Sequence, residues 1–454
     1  MNKPTAMMFL AIAGLAIGGK GHAAAARPSW VGNQVYAYNH QFAATNSADL
    51  ATKMNTMATS PLQFYRGTDH IFIQDMATLA SSNYTSVQSG YTWLGGDTHI
   101  GNFGAVRDSG GTQVFAVSDF DEGYLGQFVW DVRRLAVSMI LAGRENGLAD
   151  SAITTSINTM VDAYLNKMAA FKGNGDELTF QLKNGTTSGV VQDTISAGNG
   201  DSRSSLLSKY TTLSGSTRSF QTSSQLVAPD AASRAAIVAG MPGYIASIAS
   251  AKRYANSYYS VKDVRQKLGS GVGSLGKLRY YLLVEGPSSS TSDDVIIEMK
   301  QTIASSVAQI AGGRMPASSY GYNEGCRVAR TAKAQQINAD VLVGCNTVNG
   351  VDYYLHEKSP FQQDFDTTAL SSSGKFGTAA NYLGMALASA HALADQDYDA
   401  AVVSYSIDKQ VSDAVTSPSA FKTEILNAAF DYATQVKLDW QAFVAAKNAG
   451  TPLY

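Results

Sequence analysis

Charged side chains are scarce in this sequence. Asp, Glu, Lys and Arg together make up 15% of the 454 residues, compared with about 25% in a typical soluble domain. The 34 basic and 36 acidic residues nearly cancel, and no basic run stands out. We therefore predict no nucleic-acid partner and no binding to anionic membrane surfaces. The polar surface must depend on Ser, Thr, Asn, Gln and Tyr, which favours an exported protein.

Cysteine and histidine are also rare. Cys326 and Cys345 are the only cysteines, and two interpretations stay open: a disulfide, which would contribute roughly 3 kcal/mol, or two buried free thiols. Neither cysteine has another Cys or a close His beside it, so a cysteine-based metal site is not expected. The chain contains six His residues, and their scattered positions disfavour a dinuclear metal centre, which needs several of them.

Long apolar runs are absent except near the N-terminus. There Lys3 precedes an apolar run over residues 6–17, and small residues follow up to Ala26. This is the layout of a secretory signal, and the run is too short to span a bilayer, which takes about 20 residues. We therefore predict a signal peptide over residues 1–26, a periplasmic or secreted protein, and no transmembrane segment after signal removal.

Two acidic motifs stand out in the first third of the mature chain. Asp97 lies five residues before Asn102, and Asp119 lies seventeen residues after it. Each motif follows a short apolar run that predicts a strand, so these side chains are expected in loops at strand ends. Phosphoryl transfer needs a base and divalent metal ions. We predict Asp97 as the catalytic base, with His99 bracing its loop. The metal ligands are predicted to be Asn102, Asp119 and Asp121, because hard oxygen ligands suit Mg²⁺.

A second set of motifs comes far downstream. Gly271, Gly273 and Gly276 form a Gly-x-Gly-x-x-Gly run, and Lys300 ends an apolar segment. The run is a weak signal alone, but it is followed by a strand rather than a helix. This argues against a dinucleotide-binding fold and favours the flap that covers the nucleotide phosphates in kinases. The pattern of strand, glycine loop, strand, turn and strand predicts a small antiparallel sheet. Lys300 on its third strand would pair with phosphates; a surface lysine is the alternative.

Together these motifs resemble the bacterial DUF2252 family. The resemblance spans nearly all of the mature chain and rests on residues 64–67, 96–104, 119–122, 130–136, 273–276, 388–392 and Lys300. The acidic motifs also resemble those of aminoglycoside and choline kinases. The resemblance implies a two-lobed, protein-kinase-like α+β fold that binds ATP or another nucleotide and Mg²⁺. It further implies that Asp131 braces the base loop from its helix, and Glu324 is the nearest acidic candidate to pair with Lys300.

The order of the parts implies a circular permutation. In the small-molecule kinases the glycine loop and the lysine strand precede the base loop, whereas here they follow it. The resemblance thus assigns residues 27–255 to the first part of the large lobe, 256–365 to the small nucleotide-binding lobe and 366–454 to the helical remainder. Residues 172–228, rich in Gly, Asn, Ser and Thr, are predicted to be an insertion that is either poorly packed or flexible.

Arg66 has two open interpretations. It lies among aromatic residues and could bind a substrate phosphate or carboxylate. It could equally pair with Asp69 or Asp75 as a structural bridge. His391, near the end of a predicted helix, is expected to pack rather than to catalyse.

The predicted function is transfer of a phosphoryl or nucleotidyl group from a nucleotide to an acceptor that the sequence does not specify. A non-catalytic, kinase-like binding or scaffold protein of the cell envelope is the first alternative, because free ATP is scarce outside the cytoplasm. A metal-dependent phosphoesterase is the second, because Asp-x-His phrases also occur in dinuclear hydrolases. The sequence leaves the oligomeric state open.

Overall fold

The computed structural model describes residues 26–79, 81–86, 89–311 and 314–454. Apart from Ala26, the predicted signal peptide over residues 1–26 lies outside the described residues. The described part combines helices with several antiparallel sheets, so the chain is an α+β protein. Among its described helices, none has both the length and the apolar composition that crossing a bilayer requires.

The helices and strands follow one another along the whole described chain. The helices are α1 (Arg27–Asn39), α2 (Ala43–Met57), α3 (Pro61–Gly67), α4 (Asp69–Thr78), α5 (Phe128–Glu145), α6 (Asp150–Phe171), α7 (Gly189–Gly200), α8 (Arg203–Tyr210), α9 (Ala231–Ser247), α10 (Ser306–Ile310), α11 (Glu324–Gln335), α12 (Ser373–Leu393), α13 (Gln396–Asp399), α14 (Ile407–Ala414) and α15 (Pro418–Asn448). The strands are β1 (Tyr91–Leu94), β2 (Phe103–Arg107), β3 (Gln113–Val117), β4 (Tyr124–Gln127), β5 (Leu182–Lys183), β6 (Thr211–Ser214), β7 (Thr217–Phe220), β8 (Leu226–Val227), β9 (Val261–Lys267), β10 (Arg279–Val284), β11 (Val295–Gln301), β12 (Gly344–Val348), β13 (Val351–Glu357) and β14 (Gln363–Asp364).

The sheet that carries Lys300 has the strand order β12-β13-β11-β10-β9-β8, and its neighbours are antiparallel. The glycine run lies between β9 and β10, and Lys300 on β11 pairs in register with Arg279 on β10. The predicted succession of strand, glycine loop, strand, turn and strand is confirmed. Helix α9 covers one face of the sheet, where Tyr244 packs in a common core with Val264 and Ile297.

Two smaller antiparallel sheets position the acidic motifs. Strand β1 pairs with β4 and ends three residues before Asp97. Strand β3 lies between β2 and β5 and ends two residues before Asp119. The strands predicted before the two acidic motifs are therefore confirmed, and both aspartates lie in loops at strand ends.

The largest hydrophobic core is formed mainly by helices, including α5, α6, α12 and α15. Helices α6 and α12 approach closely: a Cβ added to Gly384 would lie 2.1 Å from the carbonyl oxygen of Met160. This crossing needs glycine because no larger residue would fit.

Residues 172–228, which the composition predicts to be an insertion, contain helices α7 and α8 and strands β5 to β8. Strand β5 joins β3, whereas β8 joins the edge of the six-stranded sheet beside β9. Helix α7 buries Val190, Val191 and Ile195. Leu182, Leu207, Phe220 and Leu226 of this segment are buried as well, although Leu178 and Leu213 are exposed. Strand β8 and helix α9 both pack on the six-stranded sheet.

Cys326 and Cys345 form a disulfide, with Cα atoms 4.9 Å apart. The bond joins helix α11 to strand β12 and decides the choice that the sequence left open. Residues 341–343 lie in the turn that precedes β12, which begins at Gly344.

Candidate functional site

A cleft of about 950 Å³ opens beside the six-stranded sheet. A cavity of about 30 Å³ shares several of its lining residues. The predicted residues that line one or both of them are Arg66, Asp97, Asn102, Asp119, Asp121, Gly271, Gly273 and Lys300. Folding thus brings the two distant sets of motifs together.

The Lys300 ammonium contacts both carboxylates of the second acidic motif. Its Nζ lies 2.9 Å from Asp121 Oδ2 and 3.4 Å from Asp119 Oδ1. Lys277 Nζ lies 3.6 Å from the same Asp121 oxygen. Burial raises the pKa of Asp121, but Lys300 and Lys277 outweigh burial and lower the pKa to about 2. Lys300 itself is buried, which excludes the surface-lysine alternative.

Asp97 is held by Arg134 of helix α5. Arg134 Nε and Nη2 lie 2.8 and 2.7 Å from Asp97 Oδ1, and the Asn102 side chain donates to the Asp97 carbonyl oxygen. Burial raises the pKa of Asp97 to about 7, although Arg134 opposes the rise. A carboxyl group with a pKa near the working pH suits a general base. His99 accepts a hydrogen bond from the Gly101 amide at 3.0 Å and so braces the base loop.

Asn102, Asp119 and Asp121 line the small cavity together. Asp119 has a side chain that is 37% exposed, and Asp121 Oδ1 is buried with no hydrogen-bond partner among the described residues. Mg²⁺ binds through one or two carboxylates and completes its shell with water and substrate phosphates, so this oxygen set fits the ion. Within the described ranges, no group of three or more His, Cys, Asp or Glu residues is arranged to hold a metal ion.

Asp131, on helix α5, fixes the start of the loop that carries Asp97. Its carboxylate accepts hydrogen bonds from the amides of Gly95 and Gly96, at 2.8 and 3.1 Å. His391 Nε2 lies 3.2 Å from Asp131 Oδ2 and ties α12 to the same carboxylate. Gly96 has a φ of +81°, and a Cβ there would lie 2.3 Å from the carbonyl oxygen of Glu122. The turn before Asp97 therefore needs glycine.

The glycine run packs against the N-terminal helices. Gly276 has a φ of +100°, and a Cβ there would lie 2.5 Å from Leu50 Cδ2. A Cβ on Gly271 would meet no atom within 4 Å. Gly276 therefore serves the fold, whereas Gly271 and Gly273 line the cavities.

Glu324 does not pair with Lys300. Its carboxylate pairs with Arg327 on the same helix, α11. The fully buried Arg327 also donates to the carbonyl oxygens of Asp121, at 2.9 Å, and Gly123. Helix α11 is thus linked to the second acidic motif by hydrogen bonds from the Arg327 guanidinium to backbone carbonyl oxygens. The Glu324 to Lys300 pair that the resemblance suggested is not formed, because Asp119 and Asp121 are nearer.

Arg66 forms neither of the predicted structural bridges. Asp69 faces Arg134, at 3.4 Å, and Asp75 pairs with Arg27, at 2.6 Å. Within the part of the chain that the structure describes, the Arg66 guanidinium forms no ion pair, and its buried Nε has no hydrogen-bond partner. The ligand-binding interpretation is the one that these contacts leave.

Three cationic residues of the site were missed by the sequence analysis: Lys277, Arg134 and Arg327. A signal for Arg134 existed, because it lies three residues after Asp131 and therefore on the same helix face. Lys277 and Arg327 had no feature that distinguished them from surface cations. Their roles follow from contacts between segments that are far apart in the chain.

Comparison with known proteins gives one family match. A family model described as "Uncharacterized protein conserved in bacteria (DUF2252)" matches residues 46–446, which is most of the chain. No curated protein matches the chain at the significance required, and no solved structure does so either.

Proposed function

The chain belongs to the DUF2252 family, and from its site we propose that it is a Mg²⁺-dependent, kinase-like phosphotransferase. The reaction moves a phosphoryl or nucleotidyl group from ATP or another nucleotide to an unidentified acceptor. The observation that carries the proposal is the meeting of Lys300 with Asp119 and Asp121. Asp97 and Asn102 line the same cavity as these carboxylates. A base, oxygen ligands for a metal and a phosphate-pairing lysine are the groups that phosphoryl transfer uses.

The order of the elements supports a circularly permuted kinase-like fold. In protein kinases a glycine-rich loop covers the phosphates and the lysine lies on the third strand, ahead of helix αC. Here the glycine run follows β9, Lys300 lies on β11, and α11 comes next. All of these elements follow the base loop in the chain. The six-stranded sheet would be the small lobe, and the helices around α5, α6, α12 and α15 the large lobe.

Each residue has a role in the proposed reaction. Asp97, as the base, takes the proton from the acceptor hydroxyl while the hydroxyl oxygen attacks the phosphorus. Asn102 and Asp119 would hold Mg²⁺, which neutralises charge on the phosphates. Burial opposes the charge on Lys300, but Asp119 and Asp121 outweigh burial and raise the pKa of Lys300. The ammonium therefore stays charged and can pair with a phosphate.

We also propose that the protein is exported to the periplasm or secreted. The disulfide between Cys326 and Cys345 supports this, because disulfides persist in oxidising compartments. Free ATP is scarce there, which keeps a non-catalytic, kinase-like binding protein as the competing function. The two functions differ in whether a bound nucleotide is consumed.

Thermal unfolding with nucleotides tests the proposal. ATP or ADP with Mg²⁺ should stabilise the purified protein, by about 2.7 kcal/mol at a ligand concentration of 100 times Kd. Lys300→Ala and Asp119→Asn should abolish this effect, whereas Lys409→Ala, at an exposed position, should keep it. No stabilisation of the wild-type protein at millimolar nucleotide would contradict nucleotide binding. Stabilisation without any consumption of ATP would favour the binding protein.

A further inference from the structure

Arg66 is a cation of the site that no carboxylate of the described residues neutralises. Within the described residues it forms no ion pair, and its Nε is buried without a hydrogen-bond partner. Lys300 and Lys277, in contrast, both lie against Asp121. The buried Nε has lost hydration that the described residues do not replace. An anionic ligand would supply the missing acceptors.

Arg66 lies between the two loops that would surround a transferring group. On one side, its Cζ lies 3.6 Å from the point where a Cβ of Gly101 would stand, in the base loop. On the other side, its carbonyl oxygen lies 3.5 Å from the equivalent point at Gly273, in the glycine run. Arg66 also lines both the large cleft and the small cavity that contains Asp97.

Arg134 fixes the position of Arg66 relative to the base. Arg134 Nη2 donates to the carbonyl oxygen of Tyr65 at 2.9 Å, and the same guanidinium holds the Asp97 carboxylate. Its Cζ also lies 3.8 Å from the centre of the Tyr65 ring. Helix α3, which carries Arg66, is therefore attached to the residue that orients the base. Such a connection keeps Arg66 and Asp97 in a constant relation, as a catalytic pair requires.

We propose that Arg66 binds the phosphoryl group while it is transferred, an inference that rests on the proposed function. The acceptor oxygen forms a bond to the γ-phosphorus of a nucleoside triphosphate, and the bond from phosphorus to the β–γ bridging oxygen breaks. The acceptor proton goes to Asp97, and the nucleoside diphosphate leaves with the electron pair. Charge spreads over the three equatorial oxygens during this step, and a planar guanidinium can donate to two of them.

Binding of Mg²⁺–ADP with and without aluminium fluoride tests the inference. Planar aluminium fluoride imitates the transferring phosphoryl group, so the wild-type protein should bind ADP at least about tenfold more tightly with it. Arg66→Ala should lose this enhancement, while its affinity for Mg²⁺–ADP alone should change by less than about threefold. Arg66→Lys keeps the positive charge but loses the planar guanidinium that can donate two parallel hydrogen bonds, so it should retain only part of the enhancement. Arg144→Gln, a control on a solvent-exposed arginine, should behave as wild type.

The outcomes separate this inference from the proposed function. An unchanged enhancement in Arg66→Ala would overturn the role of Arg66 and leave nucleotide binding standing, as would a wild-type protein that binds ADP without enhancement. No binding of Mg²⁺–ADP by the wild-type protein would overturn both. If Arg66→Ala does not fold, Arg66→Gln takes its place. Retained ADP binding without enhancement in that variant supports the role, and loss of ADP binding contradicts it.

Discussion

The Lys300 ammonium lies 2.9 Å from the Asp121 carboxylate and so connects strand β11 to the loop after strand β3. Arg327 reaches the backbone of the same loop from helix α11, through the Asp121 carbonyl oxygen. The loop that carries Asp119 is therefore held from the side of the six-stranded sheet by both a side-chain and a backbone contact. A change in the position of this sheet should alter the position of Asp119.

In the proposed transfer reaction, Asp97 should set the pH dependence of the rate. Burial raises its pKa to about 7, so the carboxylate becomes protonated below pH 7. The rate should therefore fall about tenfold for each unit by which the pH is lowered in that range. Asp97→Asn should lower the rate by about 10²–10⁴ and keep Mg²⁺–ADP binding. Rate measurements between pH 5 and pH 9 check this, and a similar rate in Asp97→Asn would exclude Asp97 as the base.

The same carboxyl group should affect stability in the opposite direction. The folded protein keeps the Asp97 proton up to about pH 7, whereas the unfolded chain releases it near pH 4. The contribution of Asp97 to the free energy of unfolding is therefore greatest below pH 4 and is lost as the pH rises to about 7. Denaturant unfolding of Asp97→Asn should lack this part of the pH dependence.

Two alanine substitutions should separate the structural and ligand-binding roles of the glycine run. Gly276→Ala needs a φ of +100° and brings its Cβ 2.5 Å from Leu50 Cδ2, so we expect a loss of about 1–3 kcal/mol. Gly271→Ala meets no atom within 4 Å, so its stability should stay within about 0.5 kcal/mol. Its methyl group enters the cleft, however, and should weaken Mg²⁺–ADP binding. Equal unfolding free energies for the two variants would refute this distinction.

Loss of the disulfide should loosen the loop of Asp119 as well as the fold. Cys326 neighbours Arg327 on helix α11, and its bond to Cys345 anchors that helix. The double variant Cys326→Ser with Cys345→Ser should lose roughly 3 kcal/mol of stability, the value for a loop of this size. Hydrogen exchange at residues 119–124 should become faster, because Arg327 holds that backbone. Unaltered exchange there, in a variant that has lost stability, would show that helix α11 does not transmit the effect.

Lys53 should lower the stability of the protein at neutral and acidic pH. It is buried on helix α2, its Nζ has no hydrogen-bond partner in the described residues, and it lies 4.9 Å from the centre of the Tyr38 ring. Burial, and secondly Lys277, lower its pKa to about 7. Between pH 7 and about 10.5 the unfolded chain therefore binds the proton more tightly, and the free energy of unfolding rises with pH.

Lys53→Met should therefore raise the free energy of unfolding at pH 6 and reduce its increase above pH 7. Lys209→Met is the control, because Lys209 also lies near a tyrosine ring, that of Tyr210, but is exposed. Urea unfolding at pH 6 and pH 9 measures both variants. A Lys53→Met protein that is less stable than wild type at pH 6 would mean that the ammonium has a compensating partner.

The secondary structure around the site was largely predictable. Helix α5 has apolar residues at helical spacing, and strands β10 and β11 are short, largely apolar runs, so both kinds of element are visible in the sequence. The structure of residues 172–228 was less predictable, because the few apolar residues of α7 and β8 are buried only through contacts with strands that are distant in the sequence. The need for glycine in the turn before Asp97 could not be predicted either, because it depends on the close approach of the Glu122 backbone to Gly96.

The sequence by itself determined the α+β class, the family resemblance and the residue types of the two motif sets, because these depend on composition and short spacing. The tertiary structure decided which charges meet: Lys300 with Asp121, Arg134 with Asp97, and Arg66 with no protein carboxylate among the described residues. The physical reason is that an ion pair depends on distance and burial in the folded chain. Both are set by the packing of sheets and helices that are remote in sequence.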